Sequence, residues 1–345
     1  MQWLTIDGSY GEGGGQLSRY AVALAAITGR PLHLTGIRAR RPKPGLMAQH
    51  LTALRAVARV AGGVLEGAEL GSTEVHFRPG PIQGGHYHFE VGTAGSVVLV
   101  LQALLPVALK ADGPIRLVLG GGTDVAMAPP LDYLRHVFLP WLTALGAEVR
   151  IESARHGYYP KGGGQLTVAV RPCHQFAPLV AETPGPLHAI RGRAHVTHLP
   201  PHIPERMAAA TRQALTGFAP IQVEARVLDE AEGFGIGGAL VLAAETEHGV
   251  VGAATVAQRG VPAERLGRAV GQALRADLEA GAALDEHAAD QLLLYAAQAR
   301  GRSLLTVRRV SLHAQTVLWL LEQFLPVRFR VEPWRGLQRI EVSHG

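Results

Sequence analysis

The sequence predicts an α/β fold, of the α+β type, in which one supersecondary pattern occurs three times and a smaller α/β segment is inserted. Three observations lead to this prediction. Stretches with helical periodicity alternate with short apolar stretches typical of strands. Turns containing glycine or proline recur at matching places in each copy. Residues 183–281 lie between the second and third copies and do not follow the pattern. Each copy is expected to pack two helices on a four-stranded sheet.

The individual elements follow from apolar periodicity and from the turn residues that separate them. In the first copy, a lead-in strand at 3–6 precedes helices at 17–28 and 49–60 and strands at 32–37, 64–70 and 74–78. The second copy has helices at 96–109 and 133–145 and strands at 115–119, 147–152 and 165–170. The third has helices at 285–299 and 312–324 and strands at 303–310, 327–331 and 337–342. The inserted segment has strands at 188–197, 221–228 and 238–245 and helices at 204–217 and 262–280.

These elements predict two domains. Residues 1–182 and 282–345 are expected to form a discontinuous core, and residues 183–281 an inserted domain. Prolines at the start of the inserted segment, among them Pro184 and Pro186, are typical of a domain boundary.

The composition excludes several classes of protein. With 47% hydrophobic and 18% charged residues, a chain of 345 residues can bury a large core and is not disordered. The longest apolar stretch, 97–109, contains Gln102 and Pro106 and is too short to span a bilayer, so no membrane partner is expected. A single cysteine, Cys173, cannot form an internal disulfide and indicates a cytoplasmic location. The formal net charge of +5 fits a polyanionic partner.

The most informative motif is the glycine run from Gly11 to Gln16. It follows a predicted strand and precedes a predicted helix, where backbone N–H groups and the helix dipole favour a bound phosphate. Glu12 would repel that phosphate unless a divalent cation lay between them, so the run predicts a metal–nucleotide site. The alternative is a glycine-rich turn that only caps the helix.

Other loops give weaker signals. The chain has neither a P-loop nor a Gly-x-Gly-x-x-Gly motif that opens a βαβ unit, so a nucleotide would bind by another route. A basic loop with Arg38, Arg40, Arg41 and Lys43 is expected to hold its side chains out to solvent. It indicates a phosphate-contacting segment, and the alternative is a solvated basic loop.

His313 is the candidate nucleophile among the 16 histidines. Ser311 is placed to cap the helix that follows, and the spacing to Val317 and Leu320 predicts that His313 lies on its apolar face. A helix N-terminus disfavours the imidazolium, so the ring is expected to be neutral and nucleophilic. The alternative is a buried histidine with backbone partners.

Three further histidines, His195, His198 and His202, crowd a proline-rich stretch. Neither a cysteine nor a nearby carboxylate in the sequence completes a ligand set, so a surface loop without metal is expected.

Several segments together resemble the RNA 3′-terminal phosphate cyclases over nearly the whole chain. The segments that carry the resemblance are Gly11 to Gln16, Lys43-Pro44-Gly45-Leu46, Gln49-His50-Leu51, Gly95-Ser96, Leu99 to Gln102, Gly121 to Asp124, Ala128-Pro129-Pro130, Tyr159-Pro160, Gly162 to Gly164, Ala289-Asp290-Gln291, and His313 with Thr316. The resemblance implies three repeated α/β units and a small inserted domain.

The resemblance also implies the reaction and the residues that perform it. ATP adenylylates a histidine, AMP passes to an RNA 3′-phosphate, and the vicinal 2′-hydroxyl displaces AMP to leave a 2′,3′-cyclic phosphate. His313 is the implied nucleophile, and Glu12 is the implied ligand of a divalent cation, Mg or Mn. The implied nucleotide-binding residues are Arg19, Arg38, Arg41, Gln49, His50, Gln102, Pro129, Glu286, His287 and Asp290. The expected partners are ATP and RNA 3′-phosphate ends, and the oligomeric state is left open, with a homodimer as one option.

Two positions depart from the family pattern. His287 stands where relatives carry a tyrosine that stacks on adenine, which implies a weaker or less selective adenine site. Val317 stands where an asparagine is common. Two other functions are considered: a cyclase-like RNA-binding assembly factor without nucleotide chemistry, and an enolpyruvyl transferase, whose motif set does not match.

Overall fold

The computed structural model describes residues 2–218 and 220–344 and confirms the predicted α/β class. Its helices are α1 (Gly15–Thr28), α2 (Ala48–Val60), α3 (Val97–Ala108), α4 (Leu131–Tyr133, continued by a π-helical stretch Leu134–Phe138 and by Leu139–Ala144), α5 (His202–Ala214), α6 (Ala263–Ala280), α7 (Glu286–Ala296) and α8 (Leu312–Phe324). Its strands are β1 (Leu4–Asp7), β2 (Leu32–Thr35), β3 (Val64–Glu66), β4 (Val75–Arg78), β5 (Gly85–Glu90), β6 (Ile115–Gly121), β7 (Glu148–Gly157), β8 (Gly164–Arg171), β9 (Val180–Ala181), β10 (Leu187–Thr197), β11 (Ile221–Leu228), β12 (Gly233–Phe234), β13 (Gly237–Thr246), β14 (Gly249–Val256), β15 (Ser303–Val307), β16 (Val327–Trp334) and β17 (Leu337–His344). Within the described ranges, every helix is too short or too polar to cross a membrane.

Three sheets share one topology. Their strand orders are β1-β2-β4-β3, β5-β6-β8-β7 and β9-β15-β17-β16. In each sheet the first two strands are parallel and the others pair antiparallel. Parallel neighbours need a crossover connection, which α1, α3 and α7 provide. Each repeat therefore begins with a strand, and the repeat pattern in the sequence lacked this strand in its second and third copies.

The missed lead-in strands have a physical explanation. β5 alternates half-buried with exposed residues and contains four aromatic or histidine side chains in a row, so its apolar pattern is weak. β9 has two residues, too few to show a period, and pairs with Leu304 and Leu305, which lie beyond the inserted segment in the chain. The inserted segment thus interrupts the third repeat after its first strand.

The inserted segment has its own sheet, with the order β11-β10-β13-β14. Helices α5 and α6 cover one face of this sheet and close a separate hydrophobic cluster that includes Ile190, Leu240 and Leu274. The segment also adds β12 to the edge of the second sheet, parallel to β7, so that sheet has five strands instead of the four expected. This pairing is nonlocal in sequence, and a two-residue strand gives no periodic signal.

A buried carboxylate, Asp285, joins three parts of the fold. It caps α7 by accepting hydrogen bonds from the backbone N–H groups of His287 and Ala288 at 3.1 and 3.0 Å. It also accepts from the Tyr133 hydroxyl on α4 at 2.6 Å and from the Gly252 N–H on β14 at 2.9 Å. The second repeat, the inserted segment and the third repeat therefore meet at one side chain.

We expect Asp285→Ala to lower the free energy of unfolding by about 3 kcal/mol, because it removes a helix cap and leaves the Tyr133 and Gly252 donors buried without a partner. Urea denaturation followed by circular dichroism measures the change. The matched control is Asp229→Ala, where the carboxylate accepts two backbone N–H bonds in an exposed turn and should cost less than about 1 kcal/mol. An equal loss in both variants would contradict the role of Asp285 as a junction.

Candidate active site

Two glycines of the run, Gly11 and Gly15, lie so close to side chains of α8 and α2 that they leave no room for side chains of their own. A Cβ atom on Gly15 would lie 2.0 Å from Nε2 of His50 on α2. A Cβ atom on Gly11 would lie 2.3 Å from Oγ1 of Thr316 on α8, and Gly11 also has a φ of +58°, which favours glycine. A larger residue at either position would force the side chain of His50 or Thr316 to move away from the start of α1.

Four helices begin at this place. Gly14 caps α1, Met47 caps α2, Ser96 caps α3 and Ser311 caps α8. Their first turns contact one another: Gln49 in α2 accepts a hydrogen bond from the Ser96 N–H at 2.8 Å, for example. Helix N-termini carry unpaired N–H groups and a partial positive charge, so their convergence forms an anion-binding region.

His313 lies in the first turn of α8 and faces the glycine run. Its Nδ1 is 2.9 Å from Oε1 of Gln16, and its side chain is 47% exposed. The expectation that His313 lies on the apolar face of α8 is therefore wrong, and so is the alternative of a buried histidine with backbone partners. In the first turn the side chain points beyond the end of the helix, where the Gly11 to Gln16 loop, and not the core, is the neighbour.

The protonation state of His313 follows from its surroundings. Partial burial, together with the positive charges of Arg41 and Arg19, lowers the pKa of the imidazole below its ordinary value. The ring is thus neutral at neutral pH, as expected from its helix position. The Gln16 amide oxygen can only accept a hydrogen bond, so Nδ1 carries the proton and the lone pair is on Nε2.

Glu12 lies between Arg41 and His313. Its carboxylate forms an ion pair with Arg41, its other oxygen is 3.4 Å from Nδ1 of His313, and its N–H donates to Oγ1 of Thr316 at 3.1 Å. The side-chain groups able to surround a metal ion within the described ranges lie elsewhere and do not include Glu12. Glu12 thus offers one carboxylate, which suits Mg²⁺ because that ion keeps several waters and takes its other ligands from phosphate oxygens.

Three arginines of the basic loop lie near the glycine run. Arg38, with a φ of +54°, donates to the Gly45 carbonyl at 2.6 Å, and Arg40 donates to the Gly11 carbonyl at 3.3 Å. The expectation that this loop holds its side chains out to solvent is wrong for Arg38 and Arg41, which are partly buried because a carbonyl and the Glu12 carboxylate attract them, and it is confirmed for Arg40 and Lys43, which are exposed.

Arg19 and His50 are both buried beside the glycine run. Burial lowers the pKa of Arg19 to about 10, and its Nε has no hydrogen-bond partner within residues 2–218 and 220–344. Burial and the charges of Arg19 and Arg38 lower the pKa of His50 to about 3, so this ring is neutral. Nδ1 of His50 accepts the Met47 N–H at 3.2 Å, which leaves Nε2–H as a donor toward Gly15.

The residues assigned to the adenosine by resemblance form a second, connected group. Gln102 donates to Oε1 of Gln291 at 2.7 Å, and Gln291 donates to the His287 carbonyl at 2.8 Å. Asp290 accepts the Ser311 hydroxyl at 2.6 Å, and burial raises the pKa of Asp290 to about 7. This last contact links the group to the N-cap of the helix that carries His313.

Two assigned residues lie outside this network. Glu286 pairs with Arg309 at 2.5 Å, although its charge acts on His313. Pro129 precedes α4, and the hydrogen bonds and ion pairs of the described residues do not connect it with the others. The roles of all these residues as catalytic, nucleotide-binding or metal-binding groups stay predictions.

Sequence reasoning missed four contributors to the site: Gln16, Thr316, Ser311 and Gln291. Gln16, Thr316 and Gln291 lie in segments that carry the family resemblance, and Ser311 was considered only as a helix cap. Each lies one to four residues from a residue that was assigned to the site, and this proximity could have indicated its role.

The fold consists of three repeated α/β units, and four helix N-termini meet around a neutral histidine, an arrangement that favours anions. The family model of RNA 3′-terminal phosphate cyclase matches residues 10–331. The chain belongs to this family.

Curated relatives align with this chain over nearly their whole lengths. A protein of Nitrosospira multiformis named RNA 3′-terminal phosphate cyclase is 51% identical over 338 residues, which cover 98% of this chain and 96% of the relative. Proteins of the same name from Pyrobaculum neutrophilum and Methanopyrus kandleri are 46% and 42% identical, and each alignment covers 97% of the relative. A solved structure of EPSP synthase from Acinetobacter baumannii aligns at 12% identity over 99% of this chain and 64% of that chain, with a TM-score of 0.30, too low to indicate a shared fold.

We expect Arg41→Gln to raise the pKa of His313 toward 6.5, the ordinary value. The substitution removes a cation that disfavours the imidazolium and releases the Glu12 carboxylate, 3.4 Å from Nδ1, to favour it. An NMR titration of the imidazole Cε1–H measures the shift. The control is Lys43→Gln, the same change of charge at an exposed position in the same loop, which should leave the pKa unchanged. A pKa of His313 that does not respond to Arg41→Gln would contradict this electrostatic arrangement.

Proposed function

We propose that this protein converts an RNA 3′-phosphate end to a 2′,3′-cyclic phosphate at the expense of ATP, with a covalent histidine–AMP intermediate on His313 and an RNA–adenylate intermediate. The observation that carries the proposal is the position of His313. It is a neutral, half-exposed imidazole with its lone pair on Nε2, at a point where four helix N-termini and three arginines favour phosphate. Membership in the RNA 3′-terminal phosphate cyclase family supports the same reaction.

In the first step, Nε2 of His313 attacks the α-phosphorus of ATP. The P–N bond forms, the bond between the α-phosphorus and the bridging oxygen breaks, and pyrophosphate leaves. Oε1 of Gln16 accepts a hydrogen bond from Nδ1–H of His313 and so fixes the tautomer and the orientation of the ring. Arg19, Arg38 and Arg41 are assigned to the phosphates, where guanidinium groups stabilise the charge that develops in the transition state.

A divalent cation fits beside Glu12, because the lone carboxylate leaves its remaining positions to phosphate oxygens and water. When bound, the cation would neutralise charge on the departing pyrophosphate. Arg41, which pairs with Glu12 in this structure, would then be released toward the phosphates.

In the second step, an oxygen of the RNA 3′-phosphate attacks the same phosphorus, the P–N bond breaks and His313 is regenerated. The RNA then carries a 3′-phosphoanhydride with AMP. In the third step, the vicinal 2′-hydroxyl attacks the RNA phosphorus and AMP leaves, with the hydroxyl proton passing to solvent or to a nearby base. Proximity of the hydroxyl supplies much of the rate of this last step.

The adenosine is assigned to the group around Gln102, His287 and Asp290. A charge-free amide pair, Gln102 with Gln291, is suited to hydrogen bonds with base edges. Asp290, with its raised pKa, offers either a donor or an acceptor near neutral pH.

All residues assigned to the reaction lie in 1–182 and 282–345. We propose that these two ranges form the catalytic core and that residues 183–281 form a separate domain.

RNA needs a second anion-binding surface beyond the nucleotide. A cavity of about 360 Å³ lies beside the loop that leads to Ser96, and Thr93, Gly121, Arg155 and Lys161 are among its lining residues. The exposed backbone of Gly92 and Gly163 and two cations, with the carboxylate of Glu90 at the same cavity, form a surface that fits a sugar–phosphate chain without reading bases. The aromatic ring of Phe234 lies 5.3 Å from the Arg155 guanidinium and is partly exposed, so it could stack on a base. We assign this cavity to the RNA strand that leads to the 3′ end.

Incubation with ATP labelled at the α-phosphate and with Mg²⁺ or Mn²⁺ is expected to give an acid-labile, alkali-stable protein adduct. His313→Ala should abolish the adduct, because it removes the attacking nitrogen, whereas omission of the cation should reduce it strongly. Scintillation counting of the precipitated protein measures the label.

The control for this experiment is His198→Ala, which removes an exposed histidine of the inserted segment and should leave labelling unchanged. An adduct that survives His313→Ala would identify another nucleophile. A folded native protein that never forms an adduct would overturn the proposed chemistry and favour an RNA-binding assembly factor.

We expect Lys161→Gln to weaken the binding of a single-stranded RNA 3′-phosphate and to lower the slope of log K against log salt by about 0.7, the value for one lost phosphate contact. Labelling of His313 with ATP alone should not change, because Lys161 is assigned to RNA only. Fluorescence anisotropy at several salt concentrations measures the binding. The control is Arg259→Gln, at an exposed position in the loop after β14, and an equal loss in both variants would contradict the assignment of this cavity.

A further inference from the structure

A second cluster of ionisable side chains lies between the second sheet and the inserted segment. Asp124 follows β6, His156 is near the end of β7, and His195 is on β10. All three are buried, and one potential ligand atom from each lies within 4.8 Å of the others. The sequence-based expectation of a surface loop is therefore wrong for His195, whose side chain is fully buried. The carboxylate that the local sequence lacked comes from another sheet.

The hydrogen bonding of this cluster is incomplete. Both ring nitrogens of His195 and Oδ2 of Asp132 are buried and have no hydrogen-bond partner among the described residues. A buried polar atom without a partner costs about 1–3 kcal/mol. The ring of His195 packs against that of His156 with a centroid separation of 4.4 Å, so its nitrogens lie in a tightly packed polar space and not in an apolar cavity.

Asp124 is held as a preorganised acceptor. It accepts the Thr123 hydroxyl at 2.6 Å, the Leu131 N–H at 3.3 Å and Nδ1–H of His156 at 2.6 Å. Three donors on one carboxyl group favour its ionised form. The cluster therefore presents one carboxylate and two imidazoles.

Asp132 is the acidic group placed to orient His195 from outside the cluster. Its Oδ2 is 3.6 Å from Nδ1 of His195, longer than a hydrogen bond, and 3.7 Å from the Arg193 guanidinium, and its other oxygen pairs with Arg135 at 3.3 Å. Carboxylates in this position orient an imidazole and fix which of its nitrogens is free to bind a metal.

We propose that Asp124, His156 and His195 bind one Zn²⁺ ion that fastens the inserted segment to the second repeat. Two nitrogen ligands and one oxygen ligand fit Zn²⁺, whereas Mg²⁺ and Ca²⁺ prefer oxygen alone. The ion takes the place of the proton between His156 and Asp124, so these two atoms separate from 2.6 Å to about 3.3 Å, the spacing of tetrahedral ligands at 2.0–2.1 Å. The proton is released to solvent, so affinity increases with pH. This site shares no residue with the His313 site.

The test is metal analysis of the full-length protein after removal of any histidine tag, loading with ZnCl₂ and gel filtration. Inductively coupled plasma mass spectrometry is expected to find about one zinc per chain. His195→Ala and His156→Gln should each lower zinc affinity at least tenfold, and Asp132→Asn should lower it by about 10–100-fold as the loss of an orienting group. Co²⁺-substituted protein should show visible d–d absorption that both histidine variants lose.

Two controls keep the test specific. His198→Ala removes an exposed histidine three residues from His195, and His76→Ala disrupts the partly exposed group of His33, Glu74 and His76 on the first sheet. Neither should change the zinc retained by the buried cluster. Native protein that folds and retains no zinc would overturn the proposal and leave a hydrogen-bonded network with buried water, and zinc lost only in His76→Ala would move the site to the first sheet. Self-labelling with ATP is measured separately, so failure here leaves the His313 proposal intact.

Discussion

The close approach of backbone to side chain at Gly11 and Gly15 is the constraint on which the site depends. With no Cβ atoms there, α1 starts in contact with His50 of α2 and Thr316 of α8. The first and third repeats are thereby brought to a common point, and Gln49 joins the second repeat to it through the Ser96 N–H. A methyl group at either glycine would overlap Nε2 of His50 or Oγ1 of Thr316, so these side chains would lose their positions beside the glycine run.

That convergence sets the electrostatics. Helix N-termini and the arginines favour anions, and burial together with the arginine charges lowers the pKa of His313 and of His50. A neutral histidine at an anion site is what attack on a phosphorus requires, because an imidazolium has no lone pair to donate. Glu12 is the one carboxylate in the glycine run, and its pairing with Arg41 shows that it is already matched to a cation.

Buried carboxylates hold the repeats and the inserted segment together. Asp285 binds groups from α4, β14 and α7, and Asp124 binds His156 beside His195. Such contacts are costly to break, since each would leave buried donors without partners.

Local sequence patterns predicted much of the fold. Helix α8 begins and ends as expected because its apolar period and its Ser311 cap are local features of the sequence. The lead-in strands β5 and β9 were missed because β5 has a weak apolar pattern and β9 has only two residues.

The sequence by itself determined the three repeats, the inserted segment, the family resemblance and the identity of His313 and Glu12 as candidate groups, since these follow from periodicity and from motifs contiguous in the chain. Only the tertiary structure decided where the side chains point. It placed His313 toward Gln16 instead of the core, turned Arg38 and Arg41 toward the Gly45 carbonyl and Glu12, and buried His195 beside Asp124 and His156. The physical reason is that the burial and charge of a side chain are set by neighbours from other elements, whose distances no local pattern encodes.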